Sequence, residues 1–449
     1  MATKFYDGGL ASGSNNGSSW ENAYRTFQAA VDGCGAGDDV WAKANSETLA
    51  ATVDIDNANA PNFYGGFATA LTGTDGSVAG RDLAANVTTL NGNSAVKILA
   101  ITRNCTFSGW KFYNGDDTPG GASVAGTISV TFANCQFDTN QGSFQGGALL
   151  LTSATAVTID DCTFHDNFGA QYGAAIHSAI TGTLTVRRCT FDGNVAVYEG
   201  GCFNKSAAGA ASFEDCTFKN SDVTTGIYGG GGACHVYGGT TVWTRCKFTD
   251  NLTHADAWGG AIKVDGSGVV GRTTNCIFSG NHAAYGGAVI CVDGTYQATN
   301  CTFAANHAVG GDGGAISAYG TTTVVNCIVY GNEADGSNDQ IDNGGATPSV
   351  TYSDVQGAYT GTGNINVNPN FVGSGNDPYN LGSLSNVVDS GNAGATYYPT
   401  TDYLGQARVD YPGHTGTGTG TPAYSDMGAY ELQAPVVPAT GAPLLLLFN

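Results

Sequence analysis

Asn104-Cys105-Thr106-Phe107 is the first copy of a four-residue phrase that recurs along most of this 449-residue chain. Each copy has a polar residue, a cysteine, a variable residue and a hydrophobic residue in that order, at intervals of 25 to 30 residues. The nine cysteines of the phrase are Cys105, Cys135, Cys162, Cys189, Cys216, Cys246, Cys276, Cys301 and Cys327. Because the cysteine and the hydrophobic residue are two positions apart, both lie on one face of a short strand.

Three further elements accompany most copies of the phrase at nearly fixed offsets. An asparagine such as Asn140 or Asn167 follows the hydrophobic position by three residues, and a small-residue stretch such as Gly146-Gly147-Ala148 comes next. We interpret the asparagines as turn residues, since asparagine tolerates left-handed backbone. A stretch such as Val157-Thr158-Ile159 precedes the next cysteine. One unit of about 27 residues cannot bury its apolar face alone, so the pattern predicts an all-β parallel β-helix with three short strands in each coil.

The thirteen cysteines have a structural explanation in such a coil. No C-x-x-C pair occurs, and a cysteine that recurs once in each coil acts as a small hydrophobic residue inside a narrow solenoid. Side chains stacked in register run parallel rather than converge, which disfavours disulfide bonds between coils. We expect buried free thiols, and disulfide bonds or a metal site are the alternatives.

Segments outside the phrase extend the pattern. These segments are Ser18–Ala23 with Gly37–Trp41, Phe63–Phe67 with Arg81-Asp82, and Asn368–Phe371, Asp389–Gly391 and Asp426–Glu431. With the repeated N-C-x-F and GGA phrases, they resemble the right-handed parallel β-helix repeat proteins of the pectin-lyase-like superfamily. The resemblance covers residues 5–432 and is strongest for the glycine-rich group related to polymorphic outer-membrane proteins. It implies a right-handed coil with a short N-terminal capping helix and a less regular C-terminal closing segment.

We divide the chain into four parts on this basis. Residues 1–40 are an N-terminal cap, in which Ser18 and Glu21 form a capping box and Trp20, Tyr24, Phe27 and Val31 share one helical face. Residues 41–348 are the parallel β-helix coils, and residues 349–432 are the closing segment. Residues 433–449 form a Pro-rich tail that ends in Leu444, Leu445, Leu446, Leu447 and Phe448. A run this apolar needs a partner, so we expect it to be an assembly element unless it docks on its own coil.

Composition excludes some functions. The net charge is −21 and only 12% of residues are charged, which argues against nucleic acid as a partner and against anionic membranes. No apolar run is long enough to span a bilayer, so no membrane insertion is expected. The opening residues, MATKFYDGGLA, contain no apolar core of a secretory signal. We therefore expect a protein that is exposed on a virion or is extracellular.

One constellation of titratable residues could catalyse a reaction. Asp138, His165 and Asp192 each lie three residues after a phrase cysteine, so in-register coils place a histidine between two carboxylates. Such a neighbourhood favours acid–base chemistry, although a solvated turn with an incidental charge pair explains the same residues. The aspartate clusters of β-helix hydrolases and the calcium cluster and base of β-helix lyases are not recognisable in the chain.

Two other groups could bind ligands. Tyr172, Tyr198, Trp258 and Tyr285 precede small-residue stretches, so stacked rings along one face are candidates for glycan binding, with shielding of the turn as the alternative. Asp335, Asn338, Asp339 and Asp342 supply oxygen ligands suited to calcium but lack the spacing of a known calcium loop. We predict no other cofactor.

These observations lead to one functional expectation and two alternatives. We expect a non-enzymatic structural or adhesive solenoid, most simply a phage tailspike, fibre or capsid decoration that contacts polysaccharide. Its partners would be further copies of itself, such as a trimer, or other virion or surface proteins through the tail. The alternatives are a secreted bacterial surface protein of the same fold and a polysaccharide depolymerase, either hydrolase or lyase, that uses acidic residues on the coil flank.

Overall fold

The computed structural model describes residues 2–35, 37–56, 61–225, 229–254, 256–375, 377–414 and 416–433. Their strands pair in parallel from coil to coil and form four sheets, named A to D, of 13, 12, 11 and 9 strands. Each regular coil passes through sheet A, then B, then D and then C. The prediction of an all-β parallel coil is confirmed, and the coil has a fourth strand of two residues that the sequence did not reveal.

Sheets A and B flank the corner that contains the phrase cysteine. The strands of sheet A are Thr3–Tyr6, Asp39–Lys43, Asn62–Phe67, Cys105–Ser108, Ser129–Ala133, Ala156–Asp160, Thr183–Arg187, Ala210–Glu214, Thr240–Thr244, Val270–Thr274, Thr295–Thr299, Thr321–Val325 and Ser349–Thr351. The strands of sheet B are Ser46–Thr48, Thr88–Asn91, Trp110–Tyr113, Gln136–Asp138, Thr163–His165, Thr190–Asp192, Thr217–Lys219, Lys247–Thr249, Ile277–Ser279, Thr302–Ala304, Ile328–Tyr330 and Asp354–Val355.

Sheets D and C flank the corner that contains the small residues. The strands of sheet D are Asp116–Asp117, Gln141–Gly142, Phe168–Gly169, Val195–Ala196, Asp222–Val223, Leu252–Thr253, His282–Ala283, His307–Ala308 and Glu333–Ala334. The strands of sheet C are Val53–Ile55, Leu99–Ile101, Ala122–Val124, Leu149–Leu151, Ile176–Ser178, Phe203–Lys205, Cys234–Val236, Ile262–Val264, Val289–Cys291, Ile316–Ala318 and Ile341–Asp342.

Single residues in left-handed backbone make the corners. The residue before the phrase cysteine is left-handed, as at Asp161 (φ 51°) and Arg188 (φ 51°). The second corner uses the residue before the repeated asparagine, such as Thr139 (φ 54°) or Asp166 (φ 50°), and the third uses a glycine such as Gly173 (φ 59°). The repeated asparagines are therefore not the left-handed turn residues that the sequence indicated.

The asparagines instead form a buried hydrogen-bonded ladder inside the coil. Oδ1 of Asn167 accepts from the backbone N (3.1 Å) and Nδ2 (3.0 Å) of Asn140. Its Nδ2 donates to the carbonyl of Phe137 (3.0 Å) and to Oδ1 of Asn194 (2.9 Å). This satisfies polar groups that burial would otherwise leave unpaired. The buried members are Asn140, Asn167, Asn194, Asn251, Asn281, Asn306 and Asn332, with Ser221 in the ladder position next to Asn220.

Hydrophobic side chains stack along the same interior. The ring centroids of successive phenylalanines from Phe137 to Phe278 lie 4.7 to 4.8 Å apart with the planes within 6° of parallel, which is one strand spacing. All thirteen cysteines are buried and none forms a disulfide bond, as expected. Thiols of the ladder donate to the carbonyl two residues back, as from Cys189 to Arg187 (3.0 Å).

Cys105 does not belong to the cysteine ladder. Its strand lies in sheet A, where Cys105 pairs with Val130, whereas sheet B pairs Lys111 with Gln136. The residue one coil before Cys135 is therefore Trp110, which is fully buried. The ladder has eight cysteines, and the phrase at residues 104–107 matches the others in sequence but not in register.

The N-terminal cap is built differently from the expectation. A helix of six residues, Phe27–Asp32, begins after Thr26, whose side chain accepts from the backbone N of Ala29 (3.3 Å). Trp20–Asn22 is a separate 3₁₀ turn, so Ser18 and Glu21 form no capping box, and the carboxylate of Glu21 instead accepts from the backbone N of Gly73 (2.7 Å). Phe27 packs on Phe63 and Trp110 and covers the end of the core.

The closing segment runs back along the outer side of sheet B. Nδ2 of Asn300 and of Asn326 donate to carbonyls of Asp426 and Asn392 (3.0 Å each). The outward side chain of Ile277 is buried against Ala429 and Tyr430, whereas the outward residues of earlier coils are polar.

Val78–Gly80 is a second 3₁₀ turn. Among the described residues, no helix is long and apolar enough to cross a membrane.

Candidate functional site

The outer face of sheet C contains a row of polar side chains. The middle residue of each three-residue strand in sheet C points away from the core. In four successive coils this residue is His177, Asn204, His235 and Lys263. Each of the four is at most 3% exposed. Because these polar side chains are buried although they lie on an outer face, other groups must rise beside and above them. They therefore form the floor of a groove, which we call the sheet C groove.

One wall of the groove is the corner between sheets D and C. Backbone bridges align Gln145, Tyr172, Glu199, Gly230, Trp258 and Tyr285 at one position of successive coils. Tyr172, Trp258 and Tyr285 therefore share one position of the coil, but Glu199 and Gly230 hold that position between Tyr172 and Trp258, so only the rings of Trp258 and Tyr285 are in neighbouring coils. Tyr198 lies one residue before this position, is 44% exposed, and has its ring centroid 6.4 Å from that of Tyr172.

The opposite wall follows the end of the sheet C strands. Ser206, Tyr237 and Asp265 lie there, directly after the strands Phe203–Lys205, Cys234–Val236 and Ile262–Val264. The ring of Tyr237 is 58% exposed. Between the walls is a pocket of about 280 Å³. It is lined by Gln145, Tyr172, His177, Glu199, Asn204, Ser206, His235, Tyr237 and Asp265.

Charged and polar contacts connect the floor to the walls. Nδ1 of His235 lies 2.8 Å from Oε2 of Glu199 and 3.0 Å from Nδ2 of Asn204. Nζ of Lys263 lies 3.3 Å from Asp265 and 3.9 Å from Glu199. The carboxylate of Glu199 is thus placed between a histidine and a lysine, in a site that water reaches from one side.

Burial and these contacts shift the pKa values in the groove. Burial lowers the pKa of His177 to about 4, a hydrogen bond with Asn204 opposes the shift, and the charge of His235 adds to it. Burial alone would raise the pKa of Glu199, but the hydrogen bond and charge of His235 and the charge of Lys263 outweigh it and lower the pKa. At neutral pH the groove therefore contains a neutral His177 in its floor and an ionised Glu199 in its wall.

Sequence analysis missed the floor although the signal was present. The small-residue stretches continue as Ile176-His177-Ser178, Phe203-Asn204-Lys205 and Cys234-His235-Val236. Each puts one polar residue between two buried positions. Counting to the second residue after the small-residue motif finds them, but the register needed for that count was not known.

Comparison with known proteins bears on the coil that holds this groove. Residues 75–241 match the family model described as the right handed beta helix region, and residues 275–293 match the Chlamydia polymorphic membrane protein repeat. The chain is a right-handed parallel β-helix. This β-helix is also similar to the solved structure described as "Crystal structure of pectate lyase Pel9A", with 14% identity over 96% of this chain and 97% of that chain and a TM-score of 0.43. No curated protein matches the chain.

The predicted acid–base constellation lies on a different face of the β-helix. Asp138, His165 and Asp192 are register partners on the outer side of sheet B, as predicted. Nδ1 of His165 is 3.4 Å from Asp138, but each carboxylate also pairs with a lysine, Asp138 with Lys111 (2.5 Å) and Asp192 with Lys219 (2.9 Å).

The lysines determine how these carboxylates ionise. Burial opposes ionisation of Asp138, but the hydrogen bond and charge of Lys111, with help from His165, lower its pKa overall. The pKa of Asp192 is lowered by Asn220 and Lys219 against the same effect of burial. Both carboxylates are ionised at neutral pH, so neither has a proton to donate as a general acid.

Each of the candidate calcium ligands makes a contact within the protein. Asp335 pairs with Nε2 of His307 (3.0 Å), and Asp342 accepts from Oγ of Ser317 (3.0 Å) and from Nδ2 of Asn338 (3.1 Å). Asp339 accepts from the backbone N of Ala334 (3.3 Å). In the described part of the chain, no three His, Cys, Asp or Glu side chains are placed to hold one metal ion. Residues 444–448, the predicted assembly element, lie outside the described residues.

Proposed function

We propose that this protein is a rigid, non-catalytic adhesive β-helix, displayed on the surface of a particle or a cell, that binds a glycan along the sheet C groove. The observation that supports this most is the pairing of a buried polar floor with aromatic walls. Sugar rings stack on aromatic faces, while their hydroxyl groups need a few placed polar partners. His177, Asn204 and His235 provide such partners below Tyr172 and Tyr237.

The scaffold suits this role because its groove is straight and repeats with the strand spacing. Successive floor residues are one coil apart, and the Asn and Phe ladders fix each coil on the next. A linear glycan can therefore lie along the axis and contact several coils without distortion of the protein. We place the display surface on a phage virion, and a bacterial cell surface is the second candidate. Immunogold labelling of purified particles and of intact cells distinguishes the two.

The non-catalytic part of the proposal rests on the paired carboxylates. Asp138 and Asp192 pair with lysines on sheet B, and Glu199 is stabilised as an anion by His235 and Lys263. At these two sites, no carboxyl group retains the proton that the general acid of glycoside hydrolysis needs. Incubation of the protein with each bound glycan, followed by detection of new reducing ends or of unsaturated products, tests for a depolymerase. Chain cleavage would contradict this part of the proposal.

A glycan array of the wild-type protein and of two variants tests glycan binding. Because the ring of Tyr172 forms a wall of the pocket, we expect Tyr172→Ala to lower affinity about tenfold or more, which corresponds to the loss of one stacked ring. His165→Ala is the matched control, since His165 is exposed on sheet B, away from the groove. An array without bound glycans, or equal loss in both variants, would reject the proposal.

A further inference from the structure

The charges around the floor of the sheet C groove determine which glycans it can accept. Glu199 and Asp265 are two carboxylates, and Lys263 is the cation that contacts both of them. His177 is neutral because burial lowers its pKa to about 4. Even a protonated His235 would only balance the two carboxylates. The pocket therefore has no net positive charge for a ligand anion.

The lysine is also held by its neighbours. Nζ of Lys263 lies 5.7 Å from the ring centroid of Trp258, in addition to its two carboxylate contacts. Its side chain is 3% exposed. A uronate, sialate or sulfate group would have to displace Glu199 or Asp265 from this lysine while it approached their negative charges. That exchange is unfavourable, since a displaced carboxylate would remain nearby without its partner.

The remaining polar groups fit hydroxyl groups. Both imidazole rings line the pocket. Nδ1 of His177 and Nε2 of His235 have no hydrogen-bond partner among the described residues, and because each atom is itself covered, a small shift of the ring must expose it to a ligand. An imidazole nitrogen can donate or accept according to its tautomer, and a hydroxyl group can accept or donate in turn. Glu199, Asp265, Gln145 and Ser206 add acceptors or donors around the same pocket.

We infer that the pocket at His177 and His235 is a subsite for an uncharged saccharide unit and that it discriminates against uronates and other anionic sugars. This rests on the proposed glycan-binding function and specifies its ligand class. The carboxylate of Glu199 has two roles in it, because it holds His235 through Nδ1 and excludes an anion from the pocket. Removal of the charge with retention of the shape therefore changes selectivity more than it changes the fold.

The experiment compares glycan classes on wild-type protein and two isosteric variants. An array of neutral, uronate-containing, sialylated, sulfated and amino-sugar glycans identifies the neutral oligosaccharide that binds best. Isothermal titration then compares that oligosaccharide with hexagalacturonate. We expect the neutral ligand to bind wild type at least tenfold more tightly, and Glu199→Gln to reduce this preference about tenfold by loss of one repulsive charge. Glu214→Gln, on sheet A, is the control and leaves the preference unchanged.

The outcomes separate the two proposals. If no glycan of any class binds, the proposed function fails, and this inference fails with it. If uronates or amino sugars bind wild type as tightly as neutral sugars, the glycan-binding function stands and the inference about charge is wrong. An unchanged preference in Glu199→Gln would also overturn it, provided that circular dichroism shows the variant folded.

Discussion

Replacement of Asn167 by alanine removes one link of the asparagine ladder, and the structure indicates its cost. Four hydrogen bonds end on the Asn167 side chain: two from Asn140 and one each to Phe137 and Asn194. At about 1 kcal/mol for each buried hydrogen bond, the loss is about 4 kcal/mol. Asn167→Ser should cost nearly as much, because the hydroxyl group of Ser221, at its own place in the ladder, donates to the carbonyl of Lys219 in the same coil.

Native-state hydrogen exchange with mass spectrometry is the suitable assay. Solenoid coils open in local units, so a single global transition does not describe such a protein. We expect faster exchange in the strands Gln136–Asp138, Thr163–His165 and Thr190–Asp192, with distant coils unchanged. Gln141→Ala is the control, because this side chain is exposed beside the ladder. A cost below about 1 kcal/mol for Asn167→Ala would refute the view that the ladder stabilises the coil.

Three further predictions concern buried groups. Burial raises the pKa of Asp354 to about 7, so the folded state holds this proton more tightly than the unfolded state. The free energy of unfolding should therefore fall as pH rises from about 4 to 7, by at most about 1.4 kcal/mol per unit, and then level off. Thermal melting of Asp354→Asn between pH 5 and 8 should show a weaker pH dependence, and an identical dependence would contradict the assignment. Arg408→Gln breaks a buried ion pair with Glu431 (2.7 Å) at a cost of about 3 to 5 kcal/mol, so limited proteolysis should cut the closing segment while the coils resist. Intact closing segments in this variant would oppose that expectation. The thirteen buried thiols should react with a thiol reagent only after unfolding, and rapid reaction of several in the native protein would be inconsistent with the ladder.

The repeat made the fold predictable because inward positions face the same environment in every coil. The phrase cysteines, phenylalanines and asparagines recur since each stacks on its own copy, as Phe164 does on Phe191. Residue identity and register separate at one copy of the phrase. Cys105 looks like a ladder member in sequence, yet Trp110 fills that interior place.

The site was less predictable because the residue types of the groove floor do not recur from coil to coil. His177, Asn204, His235 and Lys263 differ from one another, so no periodic signal distinguishes them. The aromatic row was visible because three of its members are rings at equal offsets. The closing segment lies beyond any repeat, and its position on sheet B depends on pairings such as Asn300 with Asp426, 126 residues apart.

The return of the closing segment along sheet B affects how this rod would bear mechanical load. Asn275, Asn300 and Asn326 hold the segment by hydrogen bonds to its backbone carbonyls. A pull transmitted through Gln433 reaches these contacts, part-way along the rod, before it reaches the strand Asp354–Val355. The tension would therefore be applied to the side of sheet B. It would load first the contacts that Tyr403 and Tyr430 make with this sheet. The last coil, which contains Asp354–Val355, would then carry less of the load than the coils on the N-terminal side of these contacts, including those of the groove.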